Sequence, residues 1–252
     1  MNKTVFITGA TSGIGRACAE KFAENNFNII ITGRRNELLE EVKKEIEKKY
    51  TIDVTTLCFD VQNKTGVFDA INNLPNDKKN IDILINNAGL ALGRDAFDEA
   101  DITDWEAMMS TNVNGLLYVS RALIEHLKKS KGHIINIGSI AGKEVYENGN
   151  GYCASKFAVD AISKSMRIDL LKFGIKVTSI NPGAVETEFS IVRFKGDKTK
   201  ADATYKGLTP LTANDIAETI YYCATLPTHV CINDLTITCT QQANASIFKK
   251  DV

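Results

Sequence analysis

The stretch Lys3–Gly15 reads KTVFITGATSGIG: a β-branched apolar run, then glycines spaced Gly-x-x-x-Gly-x-Gly (Gly9, Gly13, Gly15). A helical pattern, Gly15–Glu24, follows at once. A strand feeding a glycine turn that opens a helix is the first half of a βαβ unit, which needs a right-handed crossover. Working outward, the same alternation recurs. Asn28–Thr32 precedes the charged amphipathic stretch Asn36–Tyr50, and Val54–Phe59 and Ile81–Ile85 read as the third and fourth strands. A long helical pattern, Thr111–Lys129, leads to strand His133–Ile137, and helix Gly151–Phe173 to strand Lys176–Ile180. A short helix at Asn214–Thr225 and a strand at Leu235–Thr238 complete the order. Strands apolar on both faces and separated by helices predict an α/β fold: a doubly wound, parallel, seven-stranded Rossmann sheet.

Composition narrows the classes further. The chain has 252 residues, 44% hydrophobic and 24% charged, which excludes wholesale disorder and is enough to bury a substantial core. With 30 Lys+Arg against 31 Asp+Glu, no strong field exists to attract nucleic acid or an anionic membrane. Apolar runs stay far short of the roughly 20 residues that span a bilayer. Thr4–Thr8 reads as a strand, so no apolar leader is expected. The six cysteines (18, 58, 153, 223, 231 and 239) contain no Cys-x-x-Cys pair and read as reduced thiols of a cytoplasmic protein. His126, His133 and His229 lack ligand spacing, so no metal site is expected. The expectation is one Rossmann-type domain over 1–252. The polar, Lys-rich segment of about 188–212 is too long for an ordinary connection and follows a strand's carboxyl end, so it is read as a substrate lid.

The glycine loop lets backbone N–H groups approach a pyrophosphate at a helix N-terminus, although a ligand-free glycine turn has the same look. The strict Gly-x-Gly-x-x-Gly pattern fails, because Cys18 takes its last position. The end of the second strand discriminates better. A site for NAD carries an acid there, to accept from the ribose 2′-OH; this chain has Thr32-Gly33-Arg34-Arg35. Two guanidiniums suit a 2′-phosphate, with Arg16 as a possible third, and the cofactor expected is NADP(H). A solvated basic pair capping a strand is the alternative.

Tyr152 and Lys156 stand at i and i+4, on one helical face. A free tyrosine is a poor base at neutral pH. A neighbouring ammonium favours its phenolate and makes it a usable acid–base group. Ser139, at the end of the fifth strand, can hydrogen-bond a substrate oxygen. Asn86–Gly89 ends the fourth strand in the same crevice, and the Asn112 amide could bind a water leading to Lys156. The three catalytic groups Ser139, Tyr152 and Lys156 together argue against a module that binds NADP(H) without turnover.

With those residues in view, the chain resembles the short-chain dehydrogenase/reductase family. Thr8–Gly15 is similar to its cofactor loop, Asn86–Gly89 to its strand-four motif, Asn112, Ser139, Tyr152 and Lys156 to its catalytic tetrad, and Pro182-Gly183 to its nicotinamide-contacting turn. The resemblance implies Tyr152 as acid/base, Ser139 orienting the carbonyl, Lys156 holding the ribose and lowering the tyrosine pKa, and Asn112 in a proton relay. It implies cofactor contacts from Gly9, Thr11, Ser12, Gly13, Ile14, Gly15, Arg34, Arg35, Asp60, Val61, Asn87, Ala88, Gly89, Tyr152, Lys156, Pro182, Gly183, Val185 and Thr187. It also implies a homotetramer built on helices Thr111–Lys129 and Gly151–Phe173. Asn86–Gly93, Glu188–Asp197 and Leu226–Asn233 are similar to the branch of NADP-dependent 3-hydroxy acid dehydrogenases acting on L-allo-threonine, serine and 3-hydroxypropionate or malonic semialdehyde. Cys231 and a shorter GAVETEF segment after Pro182 depart from that branch. Such a substrate needs an anchor for its carboxylate, and Arg193 in the lid is the candidate, beside Ser139 and Tyr152. An exposed lid charge is the plain alternative for Arg193, and a general carbonyl or 3-oxoacyl reductase the alternative for the chain.

Overall fold

In a computed structural model, which describes residues 2–251, the strands align in the order β3-β2-β1-β4-β5-β6-β7, every pair parallel. In chain order the elements are β1 (Thr4–Ile7), α1 (Gly13–Glu24), β2 (Asn28–Gly33), α2 (Asn36–Lys49), β3 (Val54–Cys58), α3 (Lys64–Asn72) and β4 (Ile83–Asn86). They continue with α4 (Ile102–Met109), α5 (Leu116–Ser130), β5 (His133–Ile137), α6 (Asn150–Leu170), β6 (Lys176–Pro182), α7 (Phe189–Arg193), α8 (Lys198–Tyr205), α9 (Ala213–Thr225) and β7 (Asp234–Ile237).

Period-two alternation divides the core between the two faces of the sheet. Val5, Ile7, Ile29, Ile31, Ile83 and Ile85 pack with Phe22, Leu39 and Ile220 from α1, α2 and α9. Phe6, Ile30 and Leu84, the residues between them, pack with Val67, Leu123 and Leu127 from α3 and α5. Each such fully buried side chain contributes about 1.5–3 kcal/mol relative to an exposed one. Burial on both faces is why these strands read as unbroken apolar runs. The strand order reverses between β1 and β4, so the crevice opens beyond their carboxyl ends.

Three parts of the chain differ from the sequence expectation. The helix expected at Thr111 begins at Ile102, capped by the Asp101 carboxylate, which accepts from Thr103 N at 2.9 Å. It passes through a π-helical segment, Ser110–Gly115, before continuing as α5. Helix α3 was not anticipated: only Val67 and Ile71 are buried on it, too few to set a period. The segment 188–212 is not irregular, because it holds α7 and α8 and ties back to the strand side through a Val185–Leu211 bridge. Beyond β7, the chain returns over the crevice. Ala184 N donates to Gln242 Oε1 (2.8 Å), and Asp251 N donates to Gly207 O (2.8 Å).

Candidate active site

A cleft of about 1180 Å³ lies at the carboxyl edge of the sheet, roofed by the lid and the C-terminal segment. At its floor the glycine loop is pressed against the end of β4. A Cβ on Gly9 would stand 2.9 Å from Ala88 Cα, and one on Gly15 would stand 2.3 Å from Gly9 O, so no side chain fits at either position. Asn87 Nδ2 donates to Thr8 O (2.9 Å) and Gly9 O (3.0 Å), while Thr8 Oγ1 accepts from Asn87 N and Ala88 N. These bonds hold the loop open toward the start of α1, where Ser12 makes no side-chain cap. The first amides of that helix are therefore left for an anion, which the positive end of the helix dipole favours. Thr32 and Thr111 also line the cleft, each with a buried hydroxyl lacking a partner among the described residues.

Arg34 and Arg35 stand where β2 ends, side chains 64% and 53% exposed. Arg34 Nη1 is 3.6 Å from Asp60 Oδ2. Arg35 Nη2 donates to Thr11 Oγ1 (2.7 Å) and is 4.0 Å from Glu188 Oε2. Exposed pairs of this kind hold their cations weakly, by about 0–1 kcal/mol, and give way readily to a phosphate dianion. Arg16 does not join them, contrary to expectation. It pairs with Glu45 of α2 and is not part of the cleft wall.

Ser139 lies past the end of β5, in extended backbone that caps a short 3₁₀ turn, Ile140–Gly142. Its Oγ accepts from Ala141 N (3.1 Å) and is 3.5 Å from Pro182 O, so its proton is held loosely and can be turned to a ligand. Tyr152 is in the first turn of α6, half-buried, with its ring edge-on to Phe189 of the lid at 5.7 Å. Burial pushes its phenol up; the Ser139 hydroxyl and the Arg193 guanidinium pull it back. One turn on, Lys156 is buried, donates to Ile137 O (2.9 Å), and lies 5.9 Å from the Tyr152 ring centroid. Asn112, in the π-helical segment, donates through Nδ2 to Leu90 O (2.8 Å) and Ser155 Oγ (2.9 Å) and accepts from Leu90 N (2.8 Å). Both amide protons are thereby spent bracing the β4 loop against α6. A water could reach this side chain only through the remaining Oδ1 lone pair.

Burial brings the Lys156 ammonium down to about 8 from the ordinary 10.5. Below about pH 8 the folded protein carries the full cost of the buried charge. Between about 8 and 10.5 the folded protein sheds the proton while the unfolded chain keeps it, so rising pH favours folding there. In the cofactor-free protein, the melting temperature of wild type minus that of Lys156→Met should therefore rise between about pH 7.5 and about pH 10. A difference that stays flat means that the ammonium carries no burial cost.

At the other end of the cleft, Arg193 closes α7. Its Nη2 donates to Tyr146 Oη (2.8 Å) and its Nε to Gly93 O (3.3 Å), while Gly93 N donates to Arg193 O (3.0 Å). Its Cζ is 5.5 Å from the Tyr152 ring centroid. Two residues on, Lys195 Nζ reaches the Asp104 carboxylate at 2.8 Å, the Asp104 side chain being only 12% exposed. Lid and α4 are thus latched together over the cleft. Tyr146, Arg94, Gln242 and the C-terminal residues Ala245, Ser246 and Phe248 also line the cleft and were not anticipated. They sit in loops, where no hydrophobic period marks them. Cys153 is packed beneath Gly149, away from the cleft. Among the described residues, no group of three or more His, Cys, Asp or Glu is placed to hold a metal, and no helix is long and apolar enough to cross a membrane.

The profile of the family described as short chain dehydrogenase matches residues 3–198. An NADP-dependent 3-hydroxy acid dehydrogenase of Salmonella typhi is 44% identical over 245 residues, covering 96% of this chain and 97% of that protein. A sulfoacetaldehyde reductase of Chromohalobacter salexigens is 44% identical over 245 residues, covering 96% of both. Among solved structures, the closed form of a serine dehydrogenase complexed with NADP+ superposes with a TM-score of 0.91 at 41% identity, over 99% of this chain and all of that one.

Proposed function

The chain belongs to the short chain dehydrogenase family, and from that premise we propose that it moves a hydride between NADP(H) and the 3-position of short 3-hydroxy acids. Serine, L-allo-threonine and the 3-hydroxypropionate/malonic semialdehyde pair are the substrates in view. The observation that carries the acid specificity is Arg193, a guanidinium held over the Tyr152 ring at the end of the lid.

The residues present fit the cofactor. Gly9 and Gly15 let the loop pack tightly on the end of β4, the uncapped start of α1 would hold the pyrophosphate, and Arg34 and Arg35 would take a 2′-phosphate. Asp60, Val61, Asn87–Gly89, Pro182, Gly183, Val185 and Thr187 line the same cleft and would contact the rest of the cofactor. When bound, the nicotinamide supplies the position that accepts or gives the hydride.

The chain's own groups manage the proton and the orientation. Ser139 Oγ–H donates to the substrate oxygen and holds it beside the phenol. In reduction, Tyr152, kept protonated by its burial, gives its proton to the developing alkoxide. In oxidation it takes the proton from the hydroxyl, helped by the positive charge of Arg193 and by the Lys156 ammonium, which would also hold ribose hydroxyls. Asn112 keeps the β4 loop and α6 in register. Arg193 takes the substrate carboxylate bidentately, and the latched lid excludes water from the pair.

Arg193→Ala should raise KM for serine or 3-hydroxypropionate by about ten- to a hundredfold, the cost of a charge-assisted bond, and change KM for an uncharged short alcohol far less. Steady-state kinetics on both substrates checks this, and equal effects defeat the anchor. The homotetramer implied by the family resemblance is supported by apolar side chains left exposed on α5 and α6, among them Leu117, Phe157 and Ile168. Light scattering reads the assembly directly.

A further inference from the structure

We propose that Gln242, buried in the C-terminal segment, is a positioning residue for the nicotinamide end of the cofactor, because its side-chain amide sets the turn 182–185. The proposal rests on the NADP(H) reading of the cleft, since it concerns what holds one wall of that site in shape. The backbone N–H groups of the turn can be followed one by one. Pro182 has none, and Gly183 N donates to Ile237 O of β7 (2.8 Å). Ala184 N donates to a side chain, Gln242 Oε1, at 2.8 Å. Leu211 N donates to Ala184 O (3.0 Å) and Leu211 O accepts from Glu186 N (2.8 Å), so the Val185 N–H between them points the other way. On that side Val185 O accepts from Tyr205 Oη (2.8 Å), and the Val185 N–H has no protein partner among the described residues. It is a free backbone donor in the wall of the cleft, suited to a carboxamide oxygen.

Gln242 fits this task in reach and in chemistry. Its side chain is 6% exposed and reaches the turn because Gly183 has no Cβ; one there would collide with the Gln242 amide. Ala184 N needs an acceptor and the Asn244 carbonyl needs a donor. An uncharged amide supplies both, its Nε2 donating to Asn244 O at 3.1 Å. The Gln242 backbone is fixed too, its N donating to Cys239 O (2.9 Å) and the residue pairing across an antiparallel bridge with Phe248. Pro182 O, in the same turn, is 3.5 Å from Ser139 Oγ, so a displaced turn moves the nicotinamide wall relative to the hydroxyl that orients the substrate. Losing the amide leaves Ala184 N without a partner, and regaining one requires the turn to move.

The test measures two ligands that share the adenosine half of the cofactor, on wild type, Gln242→Met and Gln242→Asn. NADPH carries the dihydronicotinamide and is read by fluorescence titration; adenosine 2′,5′-bisphosphate lacks it and is read by calorimetry. Met keeps the length of the side chain without its hydrogen bonds, and Asn keeps the amide but falls one methylene short of Ala184 N. The two reach the same loss by different routes, so either serves if the other does not fold. Both variants should bind NADPH about tenfold more weakly and bind the bisphosphate as wild type does. A merely structural role moves both ligands together. Equal weakening of the two, or an NADPH affinity that does not respond, overturns the proposal and leaves the cofactor reading intact. A wild type that binds neither ligand overturns both.

Discussion

Tyr152→Phe should lower kcat by about 10²–10⁴-fold, the range that a positioned proton donor contributes, with NADPH affinity nearly unchanged. The substitution removes one oxygen and leaves the ring, so the edge-on contact with Phe189 and the packing at the start of α6 persist. Neither neighbour replaces it. The Lys156 ammonium stands one turn along the helix, donating to Ile137 O and 5.9 Å from the Tyr152 ring centroid, and the Ser139 hydroxyl is a far weaker acid than a phenol. The loss should appear in kcat and kcat/KM alike, as expected when the missing interaction is made only in the transition state. Fluorescence titration of NADPH supplies the control. A variant retaining more than about a tenth of wild-type kcat removes Tyr152 from the acid–base role.

The second large effect concerns the cofactor. Replacing Arg34 and Arg35 together by Ala should reduce the preference for NADPH over NADH, as a ratio of kcat/KM values, by about a hundredfold. That is roughly tenfold per guanidinium, the low end for charge-assisted bonds, because both side chains are more than half exposed. Exposure also makes the preference salt-sensitive, so it should weaken as ionic strength rises. Arg34→Asp goes further, because it supplies an acceptor for a ribose 2′-OH where the arginine had supplied a donor for phosphate. Wild type using both cofactors equally, or variants that leave the ratio unchanged, contradicts the role of the pair.

What could be read in the chain, and what could not, follows from how local the cause is. The runs Thr4–Ile7 and Asn28–Gly33 were legible because burial on both faces leaves no polar alternation to confuse them. Tyr152 and Lys156 were legible as a pair because helix geometry alone puts i and i+4 side by side. The π-helical segment at Asn112 was not, since STNVNG has no local signature and its geometry answers to the β4 loop and α6. Helix α8 was hidden by its own surface: only Ala201 of Lys198–Tyr205 is buried. Arg16 was misplaced because its partner, Glu45, reaches it from another helix, a contact that no spacing rule encodes. Tyr146 went unread for the same reason. It stands in a loop, and it matters only because the lid brings Arg193 to it.

The chemistry as a whole is tested most directly by initial rates of NADPH oxidation with the purified chain, malonic semialdehyde compared with a short 3-oxoacyl thioester under identical conditions. Turnover of the semialdehyde well above the thioester is the predicted result. Preference for the thioester, or no turnover of either while NADPH binds tightly, would contradict the assignment to short 3-hydroxy acids.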